Sequence, residues 1–225
     1  MCGRFALVES AEIIVETFRC AKSSLSSFKP SFNIAPTQLS PIVRQLEGAR
    51  EAANLRWGLV PEWAKDLDVG SRMINARCET VAEKPAYRAA FASRRCVVPA
   101  SAFFEWEATP EGKQPYAFVP ADGGLLALAG LWERWEKGPE PVESFTILTT
   151  SANELLGRIH DRMPVILEPA GVETWLDAES SPSTLGALLV PMANGRLGSH
   201  PVSRKVNSPK NNSSDLLDPV VDGLF

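Results

Sequence analysis

The sequence of 225 residues is poor in several features that mark common classes of protein. It has only two histidines, and its four cysteines (Cys2, Cys20, Cys78 and Cys96) form no Cys-x-x-Cys pair. Structural zinc sites need such ligands at short spacing, so we expect no metal and no cofactor. No apolar run reaches the ~20 residues of a membrane span, and no signal peptide is recognisable. We therefore expect a cytoplasmic protein with free thiols and no membrane partner.

Excess positive charge is lacking as well. The net charge is −4, from 23 basic and 27 acidic residues, and this balance argues against a nucleic-acid-binding protein. The first 100 residues, however, carry 14 basic and 10 acidic side chains, whereas the remainder carries 9 and 17. Arginine also outnumbers lysine by 15 to 8, and arginine suits phosphate forks and stacking. Two interpretations of the first 100 residues therefore remain: a basic surface that binds nucleic acid, or, more simply, a solvated surface.

The remaining composition is that of an ordinary folded protein, with 44% hydrophobic and 22% charged residues. Apolar runs separated by turn signals predict a single α+β domain with a β-rich, mostly antiparallel, barrel-like core and short flanking helices. Ser10 should cap the first helix, with Ile13, Ile14 and Phe18 on its inner face. The predicted strands are Ile42–Leu46, Ala53–Leu59, Cys96–Val98, Ala102–Glu107, Tyr116–Val119, Leu125–Trp132, Ser144–Thr150 and Pro164–Leu167; the helices are 10–19, 84–93, 153–159, 171–177 and 183–190; and residues 207–225 form a loose tail.

The second residue is the most informative position for chemistry. If the initiator methionine is removed, Cys2 becomes the N-terminus and carries a 1,2-aminothiol. Its amine has a reference pKa near 7.7–8, so a fraction is neutral at pH 7 and can form a Schiff base with an aldehyde. The thiol can then add to the imine and close a thiazolidine. Gly3 permits close approach and Arg4 suits an anionic substrate, although a cysteine can occupy position 2 by accident.

Two further segments carry polar side chains in suggestive patterns. In an extended strand over 74–80, Asn75, Arg77 and Glu79 would share one face, which suits carbonyl orientation and phosphate binding. Glu105 stands among three aromatic residues, and burial there would raise its pKa and make it a proton donor near neutrality. Both patterns also fit a solvated strand face.

The histidines differ in their surroundings. His160 lies in a His-Asp-Arg-Met-Pro run after an apolar segment, where a histidine beside Arg162 suits acid–base chemistry near phosphate. His200 precedes Pro201 and is interpreted as structural. A lone histidine can equally be a satisfied structural residue.

Taken in order, these segments resemble the SRAP (SOS-response-associated peptidase) family, the abasic-site-processing proteins, in its bacterial form. The resemblance runs from residue 1 to about 167 and resumes near the end of the chain. The matching segments are 1–5, 33–37, 56–64, 74–81, 96–100, 104–106, 148–150, 160–167 and 202–212. Ala102 departs from the pattern, because the family usually has glycine there, and the orientation of Glu105 is the detail that this puts in doubt.

The resemblance implies covalent capture of abasic sites in single-stranded DNA during the DNA damage response. Cys2 would be the nucleophile, Asn75 would orient it, and Glu105 with His160 would transfer protons. Self-processing that removes Met1 is also implied. The positions implied to contact DNA are Arg4, Asn33, Pro36, Trp63, Arg77, Thr149 and Arg162. The partner would be single-stranded DNA with an abasic site, bound by a monomer.

Two other functions remain open from the residues alone. An N-terminal-nucleophile cysteine hydrolase would act on an amide or peptide bond without crosslinking DNA. A simple single-strand-binding module would hold intact DNA, and Cys2 would be incidental. An oxyanion hole would distinguish the first, and tight binding after blocking of the terminal amine would distinguish the second.

Overall fold

The computed structural model of the chain describes residues 2–220 and confirms the expected α+β class, rich in sheet and poor in helix. Thirteen strands lie within the described residues. They are β1 (Phe5–Leu7), β2 (Lys22–Ser23), β3 (Ser31–Ile34), β4 (Leu39–Leu46), β5 (Ala49–Trp57), β6 (Asn75–Arg77), β7 (Arg95–Ala100), β8 (Ala102–Thr109), β9 (Gly112–Pro120), β10 (Leu126–Trp135), β11 (Val142–Ser151), β12 (Arg162–Pro164) and β13 (Leu197–Pro201).

The helices are short. They are α1 (Ala11–Thr17), α2 (Arg88–Ser93), α3 (Pro169–Leu176) and α4 (Pro182–Ala187). As predicted, the Ser10 side chain caps α1 and accepts a hydrogen bond from the Ile13 amide at 3.4 Å. Ile14 and Phe18 are buried, but Ile13 is 43% exposed, so the inner face of this two-turn helix is narrower than expected. None of the helices described between residues 2 and 220 is long and apolar enough to cross a membrane.

The strands form two sheets. One has the order β13–β9–β8–β1–β3, and the other runs β12–β11–β10–β7–β4–β5–β2 with β6 paired to β11. β11 also pairs with β5 in parallel, through Ser144↔Arg56 and Phe145↔Trp57, so part of the second sheet curls into a partial ring. The predicted β-rich, mostly antiparallel core is confirmed, and it curves into a partial ring where β5 pairs with β11.

Trp57 ties the core to the N-terminal strand and to the segment before β6. Its ring is fully buried, packs edge-on against Phe5 at 5.0 Å and stacks on Phe145 at 6.4 Å. Its indole Nε1–H donates to the carbonyl of Ile74 at 2.9 Å, which satisfies the one polar atom of the ring. The strand that follows Cys2 and the strand that begins at Asn75 are therefore fixed by one side chain.

Two turns hold the segments next to the site. β4 and β5 form the predicted hairpin across Glu47 and Gly48, whose φ angles of 51° and 76° match the two-residue turn favoured by strand twist. After β5, Gly58 (φ 116°) and Gly70 approach so closely that a Cβ on either would lie 2.5 Å from the carbonyl oxygen of the other. This backbone contact presses the irregular segment 60–72 against the sheet.

Besides the strand predicted over Pro164–Leu167, which is observed at Arg162–Pro164, three local predictions differ from the structure. The helix expected over 153–159 is only a 3-10 turn at Leu156–Arg158, because Asn153 Oδ1 accepts from the Leu156 amide and its Nδ2 bonds Met192. The strand expected over 74–80 ends at Arg77, where a 3-10 turn (Cys78–Thr80) begins.

The third concerns the tail from residue 207, which is not loose as far as residue 220. Leu216 is fully buried, and the backbone amide of Val220 bonds Pro201. Asn33 donates to the carbonyls of Ser208 and Asn211 at 3.0 and 2.9 Å. These partners lie more than 170 residues away in sequence, so local patterns carry no sign of them; residues 221–225 lie outside the described residues.

Candidate functional site

Asn75 positions the N-terminal segment. Its side-chain amide donates from Nδ2 to the backbone carbonyl of Cys2 at 2.8 Å. The Oδ1 atom of the same amide is buried and accepts no hydrogen bond within the described residues. The register of β6 on β11 (Ile147↔Asn75) fixes the backbone, and the Tyr87 hydroxyl lies 3.5 Å from the Asn75 carbonyl. The amide thus holds one group of Cys2 and offers an acceptor to a second donor.

Cys2 is fully buried directly before β1. Burial raises the pKa of its thiol well above the ordinary value, and the nearby charge of Glu105 raises it further. The Sγ atom lies 3.9 Å from the carbonyl oxygen of Arg4. The thiol is therefore a protonated, shielded group near neutral pH rather than a free thiolate.

Glu105 points inward from β8. The pairing Phe5↔Phe103 places β8 beside the N-terminal strand, and the Phe104 amide bonds the Arg4 carbonyl at 3.0 Å. The carboxyl group is 2% exposed, and burial raises its pKa to about 7. Ala102 pairs regularly with Ala6, so the alanine in place of the usual glycine leaves the strand intact. A carboxylic acid with this pKa can both give and take a proton near neutrality.

His160 and Glu105 line one cleft of about 380 Å³. His160 follows the Leu156–Arg158 turn, and burial lowers its pKa. Three residues that sequence reasoning did not select complete the lining: Trp106, Lys113 and Asn207. The β8–β9 hairpin register (Ala108↔Lys113) brings Lys113 there, whereas the contact of Trp106 Nε1 with Asn207 Oδ1 at 2.7 Å joins distant segments.

The arginines predicted to contact phosphate differ in their contacts. Arg4 donates from Nη1 to Asn33 Oδ1 and to the Val206 carbonyl, both at 2.8 Å. Arg162 makes a two-pronged ion pair with Glu79, one contact at 2.9 Å, and bonds the Thr149 carbonyl at 2.6 Å.

Arg77 is exposed on β6. Among the other predicted contact residues, Trp63 is 57% exposed and Pro36 is half-buried, whereas Asn33 and Thr149 are buried. The structure therefore does not bring Asn33 and Thr149 to the surface. Among residues 2–220, no three His, Cys, Asp or Glu side chains come together to hold a metal ion.

Comparison with known proteins places this chain in a family. The family model described as SOS response associated peptidase (SRAP) matches residues 1–209. This chain belongs to the SRAP family. The abasic site processing protein YoqW of Bacillus subtilis (strain 168) is 41% identical, over 97% of this chain and 99% of its own length. The abasic site processing protein HMCES of Gallus gallus is 33% identical, over 88% of this chain and 68% of its own length.

A solved structure that aligns with this chain over nearly its whole length supports the fold. The crystal structure of a protein from Bacteroides thetaiotaomicron has a TM-score of 0.88 and 25% identity, and the match covers 98% of this chain and 100% of that one. A protein with only 25% sequence identity therefore shares the strand arrangement that carries Asn75 and Glu105 in this SRAP chain.

Proposed function

We propose that this SRAP protein processes abasic sites in single-stranded DNA by capturing them covalently through Cys2. The observation that supports this most is the Asn75 amide bound to the Cys2 carbonyl at 2.8 Å beside a buried Glu105 whose pKa is about 7. The names of the relatives, YoqW and HMCES, agree with an abasic-site substrate. The product would be a DNA–protein crosslink that shields the lesion during the DNA damage response.

In the proposed reaction, Glu105 and His160 act first, and the amine and then the thiol of Cys2 follow. An abasic deoxyribose is mostly a closed hemiacetal, so Glu105 and His160 transfer protons to open the ring and free its aldehyde. The Cys2 amine attacks that carbon, and loss of water leaves an imine. The thiol S–H then adds across the C=N bond, sulfur to carbon and hydrogen to nitrogen, to close the thiazolidine. The proton that leaves the buried thiol as sulfur attacks ends on the imine nitrogen, so the net addition needs no further proton source.

The amine of Cys2 exists only after Met1 has left. We propose that the same centre removes Met1, which lies outside the described residues, as the family's peptidase description suggests. The DNA would lie along exposed Arg77 and Trp63, which supply a phosphate contact and a stacking surface.

Intact-mass spectrometry tests both parts. Protein translated without methionine aminopeptidase is incubated alone and then with single-stranded DNA whose uracil has been excised. We expect loss of the mass of Met1 and then addition of the DNA mass, stable to heat. Cys2→Ala should form no heat-stable adduct, because the alanine amine can give only a reversible imine. Cys78→Ala, which removes another free thiol, should react as wild type.

The outcomes separate the alternatives. A stable adduct in Cys2→Ala contradicts the proposed capture. Turnover of a peptide substrate without an adduct indicates the hydrolase, and tight binding of intact DNA with a blocked amine indicates the binding module. Retention of Met1 alone contradicts only self-processing.

A further inference from the structure

The β8–β9 hairpin and the 3-10 turn Arg204–Asn207 form one wall of the 380 Å³ cleft. In the hairpin Trp106 pairs with Pro115, and Lys113 lies two residues before Pro115. The side chains of Trp106 and Lys113 are therefore diagonal neighbours on one face of the hairpin. Arg204 Nη1 donates to the carbonyl of Glu111 at the hairpin tip at 3.3 Å, which ties the turn to the hairpin.

The Asn207 amide has a fixed orientation in this wall. The indole Nε1–H of Trp106 can only donate, so the Asn207 atom that lies 2.7 Å from it must be the oxygen. The Nδ2 group then faces away from the indole with two N–H donors, and it donates to no group among residues 2–220. The amide therefore contributes donors and no free acceptor atom of its own beyond the one that Trp106 uses.

Lys113 adds a positive charge to these donors. Its side chain is exposed, and its ammonium group has no hydrogen bond or ion pair with the part of the chain that the structure describes. Arg4 and Arg162, in contrast, already donate to groups of the protein. The one carboxyl group that lines the cleft, that of Glu105, is 2% exposed. The ammonium and the amide N–H groups are therefore available to an anion from outside.

We propose that Lys113 Nζ and Asn207 Nδ2 form a subsite for one phosphodiester of single-stranded DNA, the one next to the abasic sugar. The assignment rests on the proposed function, because a sugar that reaches Glu105 and His160 brings its own 3′ or 5′ phosphate to the same cleft. The phosphate carries the negative charge and the acceptor oxygens that these donors lack. Lys113 and Asn207 would position the sugar and would transfer no proton.

A cycle between one side chain and one phosphate tests this directly. Binding is measured by fluorescence anisotropy on strands that carry a tetrahydrofuran abasic analogue, which cannot be crosslinked. We expect Lys113→Gln to weaken binding about two- to fivefold at low salt and to lower the logarithmic salt slope by about 0.7. A neutral methylphosphonate at one of the two phosphates that flank the analogue should weaken wild-type binding by a similar factor, and it should weaken Lys113→Gln no further.

Asn207→Asp tests the amide without disturbing the wall. The carboxylate keeps an oxygen that accepts from Trp106 and replaces the Nδ2 donors with a negative charge. It should weaken binding more than Lys113→Gln does, and the methylphosphonate at the same phosphate should restore part of the affinity.

Two controls carry the same changes of charge elsewhere. Asn212→Asp keeps the oxygen that accepts from the Phe32 amide at 2.7 Å, and Lys22→Gln lies on β2 at the edge of the second sheet. Neither should show coupling to a flanking phosphate, and neither should change the salt slope as the cleft variants do.

The outcomes separate this subsite from the proposed capture. Additive effects of Lys113→Gln and of the methylphosphonate at both flanking phosphates overturn the inference, as does equal weakening by Lys22→Gln. Adduct formation by the wild type without such coupling overturns the subsite alone. Coupling without any adduct on a true abasic strand contradicts covalent capture and leaves the subsite in place, and a wild type that does not bind the analogue strand contradicts both.

Discussion

The proposed reaction centre and the proposed DNA-contacting surface of this SRAP protein are prepared to different degrees. Cys2 and Glu105 are buried, and Asn75 already holds the Cys2 carbonyl. Among the residues proposed to contact DNA, in contrast, Arg4 and Arg162 are bonded to groups of the protein itself, and the Arg162 side chain is only 11% exposed. The chemistry is therefore preorganised, whereas part of the electrostatic attraction for DNA is neutralised internally.

This difference gives a physical reason for the acidic net charge of −4. Under the proposed covalent capture, strong affinity for intact strands adds little, and the phosphate contacts need only guide the encounter. Variants of the centre should therefore change rates without changing binding, and variants of the surface should do the reverse.

The largest effect is expected from Glu105→Gln. The amide cannot transfer a proton at pH 7, so adduct formation should slow by about 10²–10⁴-fold. Binding of intact single-stranded DNA, measured by fluorescence anisotropy, should not change. Glu107→Gln, two residues along the same strand, is the control and should react as wild type.

Glu105→Gln should also change how the stability of the folded chain depends on pH. The pKa of Glu105 is about 7 in the fold, above its ordinary value of 4.5, so the folded chain binds the extra proton between these pH values. Its contribution to stability is complete below pH 4.5 and is lost as the pH rises through 7. The difference in thermal unfolding midpoint between Glu105→Gln and wild type should therefore be more favourable to the variant at pH 8 than at pH 4. An identical difference at both pH values contradicts the assigned pKa.

A smaller effect, on binding alone, is expected from Trp63→Ala. The ring is 57% exposed, while Lys137 Nζ bonds the Trp63 carbonyl and Trp135 Nε1 bonds the Ala64 carbonyl at 2.8 Å. Because the backbone is held, stacking of a base requires little ordering, and its loss should weaken binding by about 1–3 kcal/mol.

Anisotropy with a Cys2→Ala background, which forms no stable adduct, isolates this equilibrium. Ile13→Ala removes another exposed apolar side chain, on α1, and should not change affinity. Equal losses in both variants would contradict a stacking role for Trp63.

Sequence patterns predicted the parts of the fold that depend on neighbours in the chain. The Glu47-Gly48 turn and the positions of the strands from β7 to β11 follow from alternation and turn residues, which act over a few positions, whereas the distribution of these strands between two sheets does not. The helix predicted over 153–159 was wrong because the Asn153 side chain bonds the Leu156 amide and the distant Met192 carbonyl, and local patterns do not show the second contact.

The candidate site was only partly accessible to such patterns. The chemistry expected of Cys2 follows from its position, whereas the aromatic neighbours of Glu105 left an inward and an outward orientation open. The role expected of Asn75 came from the family resemblance, because an amide on a short strand is uninformative alone.

The internal hydrogen bonds of Arg4 and Arg162 could not be predicted. Val206 lies 202 residues from Arg4, and Glu79 lies 83 residues from Arg162. Only the folded arrangement of distant segments reveals that these side chains already have partners.

The smallest effect, and the sharpest test of the comparison between centre and surface, concerns Glu79. Arg162 holds the pKa of Glu79 at about 2, so the pair is intact at pH 7 and is lost only as the pH falls through 2. A phosphate can approach Arg162 only in competition with this carboxylate. Glu79→Gln should therefore raise affinity for intact single strands a few-fold, and the logarithmic salt slope should steepen by about 0.7 for the one phosphate gained.

Glu83→Gln removes an equal charge from an exposed position nearby, and it separates the local pair from the general charge. If the arginine is neutralised by Glu79, only Glu79→Gln changes the salt slope, whereas Glu83→Gln shifts affinity slightly at constant slope. After the crosslink has formed, salt should affect retention in neither variant, because the covalent bond replaces the phosphate contacts. A steeper slope in both variants, or in neither, would mean that Arg162 is a structural residue and that Arg77 and Trp63 carry the encounter with DNA.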